Sequence, residues 1–350
     1  MARSLQEETA IMSADRRSIA ADDMDTLRRA LLLGAIVGPA AFGRARAQGT
    51  FPERPLRLIV PYPPGGGTDA FGRRVAARLG QELGQRVVVE NKTGAAGVVG
   101  MLELLRARPD GYSMVFGGAS THALYPLIFA KPQYDPVEDF VPVALVGANT
   151  VCFMARNGVA TDLPGLLAEA RRLPGQLRFG SPGAGTFVHL AGEYLLHAAG
   201  RVEMLHVPYR GNGPAMVDLL AGNIDAVADT IVSGLPHHQE GRVRMLAVAS
   251  LRRSPLAPDV PTVAEVLGLP NFETSLWSLL AVRRDTPAAL VAALHAAARK
   301  ALEATDFQAE LRAAGIEPAP VMSPEEVGAY VRAEQAKWRP IVEATGVRME

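Results

Sequence analysis

From Leu56 onward the chain alternates short apolar runs with amphipathic stretches. Leu56-Arg57-Leu58-Ile59-Val60 has the continuous apolar character of a buried strand. Phe71, Val75, Leu79 and Leu83 then recur at i+4 spacing with Arg73, Arg74 and Arg78 off that stripe, which predicts a helix from about Asp69 to Leu83 stopped by Gly84. Val87-Val88-Val89-Glu90 predicts the next strand, so the three segments form a right-handed parallel unit. A glycine-punctuated helix over about Ala96 to Ala107, a strand from Tyr112 to Phe116 and a long apolar strand around Val143 to Phe153 follow. The plan then repeats. Leu177-Arg178-Phe179 reads as a strand, Thr186 to Ala198 as a helix and Met204 to Val207 as a strand, before a helix with Pro214 in its first turn and Gly222 at its end. Strands Ile224 to Ala228, Met245 to Ala249 and Leu276 to Val282 come next; Pro287 opens a helix, and Ser323-Pro324-Glu325-Glu326 has the form of a capping box opening the last one.

Such alternation predicts an α/β protein with parallel sheets covered on both faces. It divides into two doubly wound lobes, the first interrupted by the second: residues 48–151 plus 275–350, and residues 152–274. The crossings fall near Asn149 to Phe153 and Phe272 to Trp277.

Two strand-to-helix junctions are rich in glycine: Tyr62-Pro63-Pro64-Gly65-Gly66-Gly67-Thr68-Asp69 and Gly180-Ser181-Pro182-Gly183-Ala184-Gly185-Thr186. Glycine lets backbone approach a ligand closely, and a helix N-terminus presents unpaired N–H groups and a positive dipole end, so each turn is a candidate anion site. The local alternative at the first is an N-cap, with Thr68 or Asp69 accepting a backbone N–H. His189, one turn into the second helix, either reaches a ligand mouth or caps and packs. Val207-Pro208-Tyr209-Arg210-Gly211 ends a strand in a hydroxyl, a cation and a glycine just before another helix, at the edge where open α/β sheets bind ligands. Asp229 ends a further strand with no cation near it in sequence.

The same residues exclude several chemistries. The first turn lacks the Gly-Lys-Ser/Thr ending of a phosphate-cradling loop. Gly183-Ala184-Gly185 starts like a dinucleotide fingerprint, but Val188 holds the third glycine position, and Glu203 precedes the next strand instead of ending it. Ser181 and Ser120 sit in no Gly-x-Ser-x-Gly elbow. His237-His238, read as the start of a helix after Pro236, lacks the spacing of a helical metal pair. No cofactor, metal or catalytic set is expected, and the single Cys152 reads as a small core residue.

Composition fits this picture and adds a destination. The 350 residues are 48% hydrophobic and 21% charged, enough for two real cores. Formal charge is +0, so there is no basic field for nucleic acid or an anionic membrane. Arg28-Arg29, an apolar run from Ala30 to Phe42 and Ala45-Arg46-Ala47 form an export signal over residues 1–47, cleaved before Gln48. Residues 1–23 are polar and acidic, which makes Met24 an alternative start, and Thr26 to Leu32 resembles a twin-arginine signal as well as an ordinary one.

Essentially the whole mature chain resembles the Bug family of periplasmic solute-binding proteins, the receptors of tripartite tricarboxylate transporters. The resemblance rests on Phe51 to Asp69, Val89 to Ala95, Pro109-Asp110-Gly111-Tyr112, Tyr134 to Phe140, Gly180 to Leu190, His206 to Gly211, Pro258 to Val263 and Glu334 to Trp338. It implies a type II periplasmic-binding clamshell in which the Gly180 to Thr186 turn holds a ligand carboxylate and water bridges it to the Pro63 to Asp69 turn. It also implies a monomer that binds a small organic acid and delivers it to membrane permease subunits. A receptor for a membrane sensor kinase, and an enzyme built on the same fold, are the other readings. Pro64 stands where the family often has Ala, and Trp277 to Asp285 departs from the common run. The expected site comprises Tyr62, Gly66, Gly67, Asp69, Ser120, Thr121, Ser181, Gly183, Gly185, Thr186 and His189, with Tyr209, Arg210 and Asp229 shaping the far end.

Overall fold

A computed structural model describes residues 51–349; the expected export signal lies outside them. The strand-helix-strand plan is present: β1 (Leu56–Val60), α1 (Gly67–Leu83), β2 (Val87–Asn91), α2 (Val98–Arg106) and β3 (Ser113–Gly118). Phe71, Val75 and Leu79 of α1 are buried against the sheet, and Gly84 closes the helix in the left-handed conformation (φ 64°), donating to the Gln81 and Gly80 carbonyls. After β3 a wide turn, Ala119–Leu124, leads into α3 (Tyr125–Ile128).

β4 (Phe140–Arg156) is 17 residues long. It is followed by α4 (Leu163–Arg172), β5 (Arg178–Ser181), α5 (Phe187–Ala198), β6 (Leu205–Pro208), α6 (Asn212–Ala221), β7 (Ala226–Thr230), α7 (Ile231–Gln239), β8 (Val243–Val248) and α8 (Val263–Leu267). The chain returns through β9 (Ser275–Arg283) and ends with α9 (Ala288–Glu303), α10 (Thr305–Ala313), β10 (Ile316–Pro318) and α11 (Pro324–Thr345). The Ser323 capping box is formed: its hydroxyl accepts from the Glu326 N–H, and the Glu326 carboxylate accepts from the Ser323 N–H.

The strand order is β2-β1-β3-β9-β4-β7-β5-β6, with β8 and β10 also on β4. The outer pairs β1/β2, β1/β3, β5/β6 and β5/β7 are parallel, whereas β9 pairs antiparallel with both β3 and β4. The expectation of wholly parallel sheets therefore fails at the centre. β4 and β9 carry the chain between the two halves in opposite directions, so they can pair with one another only antiparallel. β4 belongs to both halves: Phe140 to Thr150 pairs with β9, and Val151 to Arg156 runs between β7 and β8. Cys152 is fully buried there.

A second correction concerns His237 and His238. They lie in the last turn of α7, which starts six residues earlier at Ile231 and contains Pro236. Thr230 ends β7 in the extended conformation (φ −87°, ψ 151°) and turns the chain directly into the helix.

α11 packs across both halves. Its Trp338 is fully buried, with its ring edge-on to Phe187 at the start of α5 (4.7 Å between centroids), and its Glu334 accepts from Trp277 Nε1 at 2.9 Å.

Candidate functional site

A cavity of about 210 Å³ opens where the strand ends of the two halves meet. It is bounded by the first glycine turn from Tyr62 to Asp69, by Ser120, by Pro182 and Thr186 to Val188, by Arg210 to Pro214, and by Thr230 and Leu276. The halves touch around it: a Cβ placed on Gly211 would lie 3.6 Å from Pro63 Cγ, and one on Gly67 would lie 3.3 Å from Thr230 Oγ1.

The first turn is locked from below. Asp69 Oδ2 accepts from the Gly65 N–H and from Arg73 Nε, each at 2.9 Å, while Oδ1 accepts from Asn91 Nδ2 at 2.8 Å. Asn91 also donates to the Tyr62 carbonyl at 3.0 Å. Burial by itself would push the Asp69 carboxyl up, but the bonds from Arg73, Asn91 and the Gly65 N–H outweigh it and hold the carboxyl below its usual range. Asp69 thus braces the turn instead of capping the helix. Gly66, at the N-cap, has no side chain to offer, so the Gly67, Thr68 and Asp69 amides have no acceptor among the described residues; the first helical bond is Ala70 N–H to the Gly66 carbonyl at 2.9 Å.

The second turn is largely self-satisfied. The Gly183 N–H reaches Ser181 Oγ (3.3 Å), the Gly185 N–H reaches His189 Nδ1 (3.2 Å), and the Thr186 N–H reaches the Gly183 carbonyl (3.3 Å). Thr186 caps α5 by accepting from the His189 N–H. The Phe187 N–H donates across the cleft to Ser120 Oγ at 2.9 Å. Of the first-turn amides of α5, Val188's is the one without an acceptor among the described residues.

Seven of the expected residues border the cavity: Tyr62, Gly66, Gly67, Asp69, Ser120, Thr186 and Arg210. The other seven do not. The Thr121 hydroxyl is buried against the Gly118 backbone and His122. Ser181 lies behind the second turn with Oγ 2.8 Å from His206 Nε2, and His189 stacks on His206 at 3.8 Å. Burial, aided by His189, pushes the His206 imidazole down to about 3, so it is neutral. Gly183 and Gly185 have positive φ (151° and 72°), and a Cβ on Gly185 would meet Met349 at 3.1 Å and Ile128 at 3.2 Å, away from the cavity. A bulky residue at Gly185 would therefore strain and crowd the protein rather than obstruct the cavity, contrary to the expectation that this glycine faces a ligand. The Tyr209 hydroxyl donates to Asp218 at 2.6 Å. Asp229 is fully buried beneath the cavity, where it accepts from Asn212 Nδ2, the Thr230 N–H and the Ser233 hydroxyl; burial nevertheless pushes its carboxyl up to about 7.

Phe187, Asn212 and Thr230 border the cavity and were not anticipated. The rule that pointed to Asp229, a polar residue at a strand's C-terminal end, extends to Thr230 one position on. Together the N-terminal ends of α1, α5, α6 and α7 face this space, each bringing a positive dipole end. Arg210 lies at the rim, exposed and without an ion-pair partner among the described residues. Tyr62 is half-buried on this wall; burial, only partly offset by the neighbouring Ser120, pushes its hydroxyl up to about 12. The space is thus rich in neutral donors at short range and, among the described residues, is lined by no buried cation.

Residues 71–347 match the model of the tripartite tricarboxylate transporter family receptor. The chain belongs to this receptor family. This TctC-type receptor is 32% identical over 330 residues to Protein BugT of Bordetella pertussis, covering 93% of the chain and all of that relative. A structure of an R. palustris protein with adipate superimposes with a TM-score of 0.80 at 31% identity, over 85% of this chain and 99% of the other. MatC from Rhodopseudomonas palustris with bound malate gives a TM-score of 0.76 at 32% identity, over 83% and 100%. The fold of the receptor is the two-lobed, clamshell type of these periplasmic binding proteins.

Proposed function

We propose that this receptor is exported, captures a small dicarboxylate between its lobes and hands it to membrane permease subunits without altering it. The observation that carries the reading is the start of α1, where three consecutive amides with no acceptor among the described residues border an interlobe cavity. Helix-end donors of this kind hold a carboxylate by geometry and dipole, and leave it free to depart without breaking a buried ion pair. Adipate and malate, the acids in the two neighbouring structures, support the class. The export signal over residues 1–47 directs the chain to the periplasm, where it acts as a monomer.

The lobes on this reading are residues 48–151 with 275–350, and 152–274. They close about the paired crossing strands β4 and β9, and the closed form binds better because both lobes then border the acid. Titration of the purified protein with adipate and with malate tests the proposal: a tight ligand at 100 times its dissociation constant adds about 2.7 kcal/mol of stability. The expected result is a raised melting temperature and a calorimetric isotherm for at least one of the two. Turnover of the acid, or no response to either, would overturn it.

A further inference from the structure

Most buried polar side chains in this protein are paired: Asp69, Ser181, Thr262 and Glu334 each hold at least one hydrogen bond. Asn149 departs furthest from that rule. It is 1% exposed, and it alone among the described residues has two side-chain atoms, Nδ2 and Oδ1, buried without a hydrogen-bond partner. Thr274 is likewise 1% exposed, and its Oγ1 has no partner among the described residues. Groups left this way are costly, and in a folded protein they call for an explanation.

Their place in the fold supplies one. Asn149 lies on β4 just before that strand exchanges β9 for β7 and β8, and Thr274 immediately precedes β9, so each stands on one of the two crossings between the halves. The Thr274 N–H donates to the Ala249 carbonyl at 2.9 Å and the Ala249 N–H to the Val151 carbonyl at 2.8 Å, which ties the crossings together at this level. Asn149 stands opposite Leu276 of β9 on one edge and Ile316 of β10 on the other. Directly opposed residues of antiparallel strands share a face, so the amide lies between two apolar side chains that offer it no partner. Both flanks are interlobe ground. Leu276 borders the cavity, and a Cβ on Gly315, next to Ile316, would lie 2.9 Å from Val232 and 3.4 Å from Ile231 of α7 in the other half. Neither Asn149 nor Thr274 borders the cavity itself.

We infer that Asn149 and Thr274 set the resting balance of the clamshell: with the lobes together their side-chain groups are buried without partners, and with the lobes parted water reaches them, so they bias the empty receptor toward the open form. A ligand that binds the closed form works against that bias, and its apparent affinity is reduced by the fraction of empty molecules that are closed. The same bias favours release once the acid has been handed on. This inference rests on the dicarboxylate reading and the closure about β4 and β9 given above, and assigns the residues that regulate that closure from outside the ligand's reach.

The test uses the full chain with Asn149→Leu, which keeps the side-chain volume and removes the amide, with Thr274→Val, and with both together. In calorimetry with whichever of adipate and malate the wild type binds, each single variant should bind about threefold more tightly and the double variant about tenfold. Thr274→Ser, which keeps the hydroxyl, should stay within about twofold of wild type. Without acid, the double variant should show a smaller radius of gyration than the wild type in small-angle scattering. Wild-type affinity and an unchanged scattering curve in the double variant would overturn the inference, even if that variant melts higher, because the groups would then cost both forms alike. Weaker binding, or variants that fail to fold, would also overturn it, by showing that the amide and hydroxyl serve the closed form or the fold. A wild type that binds neither acid would overturn the dicarboxylate reading, and ligand-free scattering of the double variant against the wild type would still decide this inference.

Discussion

Among the described residues the amides of Gly67, Thr68 and Asp69 at the start of α1 have no acceptor, whereas at the start of α5 nearly every donor is taken by His189, Thr186, Ser181 or Ser120. The two turns are near twins in sequence. The difference lies in where the capping groups stand. In the first, the acid sits at the third helical position and reaches back to Gly65, bracing the turn beneath the amides; in the second, Thr186 occupies the N-cap and closes over them. A glycine-rich strand-to-helix turn therefore marks a possible anion site, and the side chains around it decide whether its donors remain available.

The strongest way to break this comparison is Gly67→Val. The new side chain would fill the space between α1 and Thr230, with its Cβ 3.3 Å from Oγ1, and Gly67 has no positive φ to strain. Affinity for the acid that binds the wild type should fall more than 100-fold, about 2.7 kcal/mol, while the ligand-free melting temperature changes little. Wild-type affinity in calorimetry would remove the first turn from the site.

Gly185→Val asks the reciprocal question of the second turn. Its φ of 72° suits glycine, and its Cβ would press on Met349 and Ile128. Unfolding in urea should show a loss of about 2–3 kcal/mol, with affinity within about threefold of wild type. A stable variant that no longer binds would reverse the roles assigned to the two turns.

A smaller effect sharpens the comparison. Asp69→Asn should weaken binding about tenfold, roughly 1.4 kcal/mol, by loosening the brace under the free amides. Its stability effect has a pH signature. The folded carboxyl lies below its ordinary 3.8, so its contribution is fully present above that value and is lost as pH falls through the folded pKa. Wild type and variant should differ in urea unfolding at pH 7 and converge in strong acid. A gap that persists there would mean the charge of Asp69 is not what holds the turn.

Much of this was legible in the residues. The i+4 stripe of Phe71, Val75 and Leu79, ended by Gly84, determines α1 almost to the residue, because burial of that stripe and the left-handed stop are local facts. Both turns were found for the same reason. Strand direction at the centre was not legible, since β4 and β9 pair across more than a hundred residues of chain and no short-range pattern records it. α7 was misread because Pro236 looks like a helix start when it sits inside the helix. Within the site, Thr121, His189 and Gly185 carry the right chemistry yet face inward, and Thr230 borders the cavity at the N-terminal end of α7 without capping it. Those are properties of packing, and sequence spacing reports only which groups are present.

That no buried cation lines the cavity among the described residues bears on how an acid would find its way in. Helix-end dipoles act over the first turn of their helices, and a chain with 36 basic and 36 acidic residues projects little net field beyond its surface. Dissolved ions screen long-range attraction but barely touch a donor at contact distance. On this reading encounter is left to diffusion and discrimination to the closed cleft, so a receptor built this way would keep its uptake rate through swings in the salinity of its surroundings, where one that steers its substrate by charge would slow.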